Sequence, residues 1–236
     1  MIPLSSNPES QKQMTRAAGV AGVVGFLLIA SGAALLPFWT ALHTTDSPQA
    51  FVRYAQDQRG QIIAAMFLYS LGFGLFLVLT GALWAQLRRA DRRAEWLAAV
   101  FGLAAVAMST MILAAFVPAC VFAYRAHSPE VAQTLWDLGF GMLALSGVPT
   151  AVCMGAYATA TLCYGGLPRW TGWVAAVGVV PHVVIGGSFM VRDGFLSLEG
   201  DVTLWVPLTL FAWILAASIA LVSQPRAKEA RNGPGR

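Results

Sequence analysis

The chain has 236 residues, of which 57% are hydrophobic and 11% charged, and its formal net charge is +4. A soluble domain carries about 25% charged residues, so this composition argues against an ordinary soluble protein. In a soluble protein, a net positive charge would suggest nucleic-acid binding. In a membrane protein it reflects basic loops that are retained on the cytoplasmic side, so we predict no nucleic-acid partner.

Six apolar segments are long enough to cross a bilayer as helices, which takes about 20 mostly apolar residues. The predicted fold is therefore all-α, a polytopic membrane bundle of six transmembrane helices. The spans are placed at residues 17–37, 60–85, 96–124, 133–163, 170–190 and 203–223. Around the transmembrane domain (16–224), residues 1–15 are expected to form a cytoplasmic tail and residues 225–236 a disordered cytoplasmic tail.

The first span follows Lys12 and Arg16, as the core of a signal peptide would. Its apolar stretch is longer than the 7–15 residues of such a core. We therefore expect a membrane helix. Cleavage, the alternative, would leave five helices and an external N-terminus.

The loop after the second span contains Arg88, Arg89, Arg92 and Arg93. Arginine clusters in short loops are retained in the cytoplasm. On the side of this cluster lie 11 of the 15 lysines and arginines, including those of both tails. The asymmetry predicts a multi-pass protein of the plasma membrane with both termini cytoplasmic.

Spans two and four share a pattern, LYSLGFGL at residues 68–75 and LWDLGFGM at residues 135–142. Each follows a Ser-Pro pair, at Ser47 and Ser128, that is typical of a helix start. We expect a short helix in both outer loops. Together with one proline in each odd-numbered span, the pattern favours three hairpin repeats of the kind found in transport proteins. Chance similarity between glycine-rich membrane helices is the alternative. The prolines are Pro37, Pro118 and Pro181.

Glycines at 72 and 74, 139 and 141, and 186 and 187 are expected at helix contacts, because small residues let backbones approach closely in lipid. Prolines inside spans are expected to kink helices and open a cavity between them. These kinks are predicted at Pro118, Pro149 and Pro181. Candidate polar residues for the lining of such a cavity are Tyr69, Tyr157, Ser109, Thr110, Ser146 and Thr150.

Ionisable residues inside a membrane are costly, so His182 and Asp137 are candidate ligand-binding residues. His182 follows Pro181, whose missing N–H frees a carbonyl one turn earlier. Its imidazole would serve ligand binding or proton exchange, or only donate a hydrogen bond to another helix. Asp137 is expected near the outer end of the fourth span, where it would pair with an outer-loop arginine or reach water.

The sequence lacks the residues that several kinds of membrane chemistry require. No span has a lysine for a retinal Schiff base, and only one histidine lies in a span, too few for a bis-histidine haem. The cysteines match no zinc or redox spacing, and the protease, serine-elbow and Walker motifs are absent. We therefore predict no metal, no cofactor and no catalytic residue.

Three segments carry a family resemblance: RAAGVAGVVGFLLIASGA in the first span, SPEVAQTLWDLGFGMLAL in the fourth, and YGGLPRWTGWVAAVG in the turn into the fifth. The layout over residues 14–224 resembles a family of small bacterial six-helix integral membrane proteins catalogued as a domain of unknown function. The resemblance implies the topology and no activity. Family members often carry a histidine early in span four, where this chain has Trp136 and Asp137.

Three functions stay open. The favoured hypothesis is non-enzymatic binding or transport of a small or lipophilic ligand within the bundle. A structural or regulatory subunit of a membrane complex would instead show a small-residue face towards lipid and no cavity. A membrane-embedded enzyme that modifies lipids with Asp137 or His182 would need both side chains at one pocket.

Overall fold

The computed structural model describes residues 8–36, 42–43, 46–125, 128–191, 194–198 and 200–223. Within these ranges the chain is all-α and contains no strand, as predicted. Short 3-10 turns lie at Arg92–Ala94 and Ser188–Met190. The helices are α1 (Pro8–Leu35), α2 (Pro48–Asp57), α3 (Arg59–Ala90), α4 (Glu95–Arg125), α5 (Pro129–Leu145), α6 (Gly147–Tyr164), α7 (Arg169–Gly186) and α8 (Val202–Val222).

Six helical segments are long and apolar enough to cross a membrane, which confirms the predicted bundle. The chain is a multi-pass integral membrane protein. The segments are Glu9–Leu35, Arg59–Ala90, Arg92–Arg125, Pro129–Tyr164, Arg169–Met190 and Trp205–Val222. The first helix starts at Pro8, a residue suited to the first turn, so it takes in half of the expected N-terminal tail. The expected C-terminal tail, 225–236, and Pro37 lie outside the described residues.

The six spans form a closed ring in chain order. Each span packs against the next, and α8 packs against α1. We call the end with the turn between α3 and α4 the arginine end, because Arg88, Arg89, Arg92 and Arg93 lie there. The other end, the α2 end, carries α2, the start of α5 and the connection from α7 to α8.

The fourth span is two helices. α5 ends at Leu145, Ser146 follows, and α6 starts at Gly147. The break lies one turn before Pro149, which lacks the N–H that would bond to the carbonyl of Leu145 and whose ring crowds that carbonyl. The hydroxyl of Ser146 donates to the carbonyl of Leu143 at 2.6 Å.

The two Ser-Pro pairs start different elements. Pro48 begins α2, the short separate helix expected in the outer loop, whereas Pro129 begins α5, the first half of the span itself. The expectation of a short helix in both loops is therefore wrong for the second loop. The helices α4 and α7 continue through Pro118 and Pro181.

Glycines of α1 bring neighbouring helices close. A Cβ built at Gly19 would lie 2.9 Å from the carbonyl oxygen of Ser218, and one at Gly22 would overlap the Ser218 hydroxyl. The predicted helix contact is wrong for Gly74, since nothing lies within 4 Å of a Cβ there, and for Gly187, whose Cβ would meet only the backbone of its own helix. Gly139 and Gly186 do lie against neighbouring helices, and Gly141 lies against Phe189 of the second 3-10 turn.

Candidate functional site

Four buried aromatic rings fill the middle of the ring of helices. They come from α3, α4, α6 and α8, and the indole of Trp213 is the centre of the group. Its ring centroid lies 6.1 Å from that of Phe76, 6.2 Å from that of Phe101 and 5.2 Å from that of Tyr157. We call Phe76, Phe101, Tyr157 and Trp213 the aromatic layer.

A cavity of about 120 Å³ lies on the α2 side of the aromatic layer. On α3, for example, its lining residues Tyr69 and Phe73 come before Phe76, and on α8 its lining residue Leu210 comes before Trp213. Its wall is mainly apolar. The lining includes Met66, Tyr69, Phe73, Ile112, Ala115, Phe116, Ser146, Thr150, His182, Thr203, Pro207 and Phe211.

Tyr69 presents an unpaired hydroxyl in this wall. Its side chain is 5% exposed, and its ring stacks on Phe116 with centroids 5.5 Å apart. A Cβ built at Gly32 of α1 would lie 3.4 Å from the tyrosine ring, so the glycine leaves room for it. The buried Oη has no hydrogen-bond partner among the residues that the structure describes. An unsatisfied buried donor costs about 1–3 kcal/mol, so a hydrogen-bond acceptor on a ligand would stabilise this hydroxyl.

His182 lines the same cavity and is 4% exposed. Its Nδ1 donates to the carbonyl of Gly178 at 2.8 Å. In a neutral imidazole whose Nδ1 carries the proton, Nε2 is a hydrogen-bond acceptor. The sequence predicted a polar site beside Pro181, and the structure places it where α6 begins, because a Cβ at Gly147 would overlap the carbonyl oxygen of His182.

The other polar side chains of the wall are satisfied by nearby main chain. Thr150 donates to the carbonyl of Ser146 at 2.7 Å, and Thr203 donates to that of Gly200 at 2.7 Å. Ser146 donates to the carbonyl of Leu143. Hydroxyls commonly return to their own helix in this way. Tyr69 Oη and His182 Nε2 are therefore the side-chain polar atoms of the lining residues that have no partner in the described part of the chain.

The predicted set of four ligand-binding residues divides among three places. Tyr69 and His182 meet at the cavity, whereas Tyr157 belongs to the aromatic layer and Asp137 is exposed on α5. Asp137 therefore does not share the His182 cavity. Of the other predicted lining residues, Ser146 and Thr150 line the wall, and Ser109 and Thr110 do not.

The sequence did not single out Phe116 or Pro207, although both line the cavity. A proline inside an apolar span was the available signal for Pro207, which lies within α8. No comparable signal marks Phe116, because phenylalanine is equally suited to a lipid-facing position.

Comparisons with protein families, curated proteins and solved structures found no match. The candidate site therefore rests on the geometry of this chain.

The four arginines lie far from the cavity along the helices. Arg88 pairs with Glu95 at 3.0 Å across the turn, and the Asp91 carboxylate accepts the Arg93 backbone N–H at 2.7 Å. The guanidinium of Arg89 donates to the side-chain oxygen of Gln11 on α1. The last of these contacts joins the start of α1 to the end of α3.

Proposed function

We propose that this integral membrane protein binds a small lipophilic molecule in the cavity between the helices of its ring. The observation that carries the proposal is the unpaired hydroxyl of Tyr69, a residue that lines a mainly apolar cavity. Ligand pockets are typically apolar, with a few polar groups that orient the bound molecule. The cavity has this composition.

Binding is better supported than transport in this conformation. The aromatic layer lies between the cavity and the arginine end, and its four rings are fully buried. A solute crossing the protein would have to displace Trp213 and its neighbours. A ligand that reaches the cavity from the α2 end or from the bilayer would not have to displace these rings.

The two alternatives receive less support. A purely structural subunit would need no cavity, and the glycines of α1 face α3 and α8 rather than lipid. An enzyme that combines Asp137 with His182 would need both at one pocket, and Asp137 is not among the residues lining this one. The proposal places the arginine end in the cytoplasm, because arginine-rich loops are retained there. It places the protein in a bacterial plasma membrane, as the family resemblance implies.

A cavity-filling substitution tests the proposal. The chain would be extracted with its native lipids in polymer-bounded discs, and retained small molecules would be measured by mass spectrometry. We expect about one retained molecule per chain in the wild type and at least a ten-fold loss in Ala115→Leu, whose side chain enters the cavity.

The matched control is Ala107→Leu on the exposed face of the same helix, which should retain the molecule. Equal retention by both variants would count against binding in the cavity.

A further inference from the structure

We infer that the ligand is a small uncharged alcohol or phenol, whose hydroxyl group is recognised by Tyr69 and His182. This inference rests on the proposed function and specifies its ligand class. Three properties of the cavity lead to it: its lack of charge, its pair of free polar atoms and its size.

The described wall of the cavity contains no aspartate, glutamate, lysine or arginine. A charged ligand group would lose its hydration without gaining a counter-ion, which is strongly unfavourable in an apolar interior. The wall therefore selects an uncharged molecule.

The two free polar atoms have complementary roles. Tyr69 has an O–H to donate, because its Oη lacks a partner among the described residues. His182 has an acceptor at Nε2, because its Nδ1 proton is directed to Gly178. A ligand hydroxyl both accepts and donates, so it matches both atoms. A ketone oxygen only accepts and matches Tyr69 alone, and a hydrocarbon matches neither.

The positions of both atoms are fixed before a ligand binds. Phe116 stacks on the Tyr69 ring, and the Gly178 carbonyl orients the imidazole. A preorganised donor and acceptor recognise a ligand without a further ordering cost. The hydroxyl is therefore a determinant of specificity as well as of affinity.

Size limits the apolar part of the ligand. The cavity measures about 120 Å³. An apolar protein cavity of about 150 Å³ binds benzene. The body of the ligand is therefore comparable to one six-membered ring.

The test is a competition between matched probes. The protein, in phosphatidylcholine nanodiscs, would be photolabelled with a cyclohexanol that carries a diazirine on its ring, and labelled residues would be located by peptide mass spectrometry. Cyclohexanol, cyclohexanone and methylcyclohexane would compete at equal concentrations in the membrane. We expect labelling of the cavity wall, with cyclohexanol the strongest competitor, cyclohexanone weaker and methylcyclohexane weakest by about ten-fold or more.

Tyr69→Phe keeps the ring that stacks on Phe116 and removes only the hydroxyl. In this variant the apparent affinity for cyclohexanol should fall about ten-fold, and that for methylcyclohexane should not change. The ranking of competitors in the wild type is a test that needs no variant. Equal competition by methylcyclohexane and cyclohexanol would overturn the inference and leave the proposed function standing. Absence of labelling at the cavity wall would overturn both.

Discussion

Gly25 of α1 and Gly72 of α3 lie in backbone contact with each other. A Cβ built at Gly25 would lie 2.9 Å from the carbonyl oxygen of Gly72, and one built at Gly72 would lie 2.8 Å from that of Gly25. Two turns along α1, Gly32 lies against the ring of Tyr69. The glycine contact therefore holds α1 where it supports one wall of the cavity.

This contact predicts different effects for two neighbouring glycines. Gly72→Ala should destabilise the protein by about 1–3 kcal/mol, because the new methyl group would meet Ile29 as well as the Gly25 backbone. Gly74→Ala should be neutral or stabilise by up to about 1 kcal/mol, because its Cβ meets open space and alanine favours helix. Unfolding by SDS titration in mixed micelles would measure both. Equal destabilisation by the two variants would contradict the assigned contact.

Gly72 and Gly74 also show which features of the fold could be predicted from the sequence and which could not. Span number and approximate span position followed from length and apolarity, because those properties are required by the bilayer. The inward face of each span did not follow, since lipid and protein neighbours are equally apolar. The sequence therefore grouped Gly72 with Gly74, which faces open space.

The candidate site was predictable to the same extent. Tyr69 and His182 stood out because polar groups are rare in spans, and both line the cavity. Asp137 and Tyr157 stood out for the same reason but lie elsewhere, because polarity identifies a residue without giving its helix face. At Pro149 the sequence predicted a kink, whereas the structure has two separate helices with a break at Ser146. A proline inside a span does not by itself show whether the helix bends or ends.

A second prediction concerns the contact between α6 and α7 beside the cavity. Gly147→Ala should separate the two helices, because the Cβ would overlap the His182 carbonyl and lie 2.6 Å from Ile185 Cγ2. Cavity labelling by the diazirine probe should fall several-fold, and stability should fall by about 1–3 kcal/mol.

The matched control for Gly147→Ala lies on the same helix. A Cβ at Gly155 would meet Val179 Cγ2 at 3.9 Å, an ordinary contact, so Gly155→Ala should leave labelling unchanged. Loss of labelling in Gly155→Ala alone would refute the assigned packing.

A third prediction concerns Tyr157 in the aromatic layer. Thr171 Oγ1 donates to the carbonyl of Pro168, so it accepts the Tyr157 hydroxyl, 2.8 Å away. Thr171→Val removes the acceptor of that buried hydroxyl and should cost about 1–3 kcal/mol, whereas Tyr157→Phe leaves Thr171 bonded to Pro168 and should cost about 0.5–1.5 kcal/mol. In the Tyr157→Phe background, Thr171→Val should cost less than it does alone.

Thr110 provides the control for this cycle. It lies on the exposed face of α4, so Thr110→Val should change the stability by less than about 0.5 kcal/mol. Thermal unfolding in detergent would rank the variants. Additive costs for Tyr157→Phe and Thr171→Val would argue against the hydrogen bond.

The fourth prediction tests the proposed orientation. Single cysteines would be placed at the two ends of the bundle in a variant whose native Cys120, Cys153 and Cys163 are replaced by alanine. Asp91→Cys marks the arginine end, in the turn between α3 and α4, and Gln56→Cys marks the α2 end on an exposed position of α2. Because arginine-rich loops are retained in the cytoplasm, a membrane-impermeant maleimide should label Gln56→Cys in intact spheroplasts and Asp91→Cys only after permeabilisation. The reverse pattern would put the arginine end outside and the cavity on the cytoplasmic side of the aromatic layer, while the ring of spans and the ligand proposal would stand.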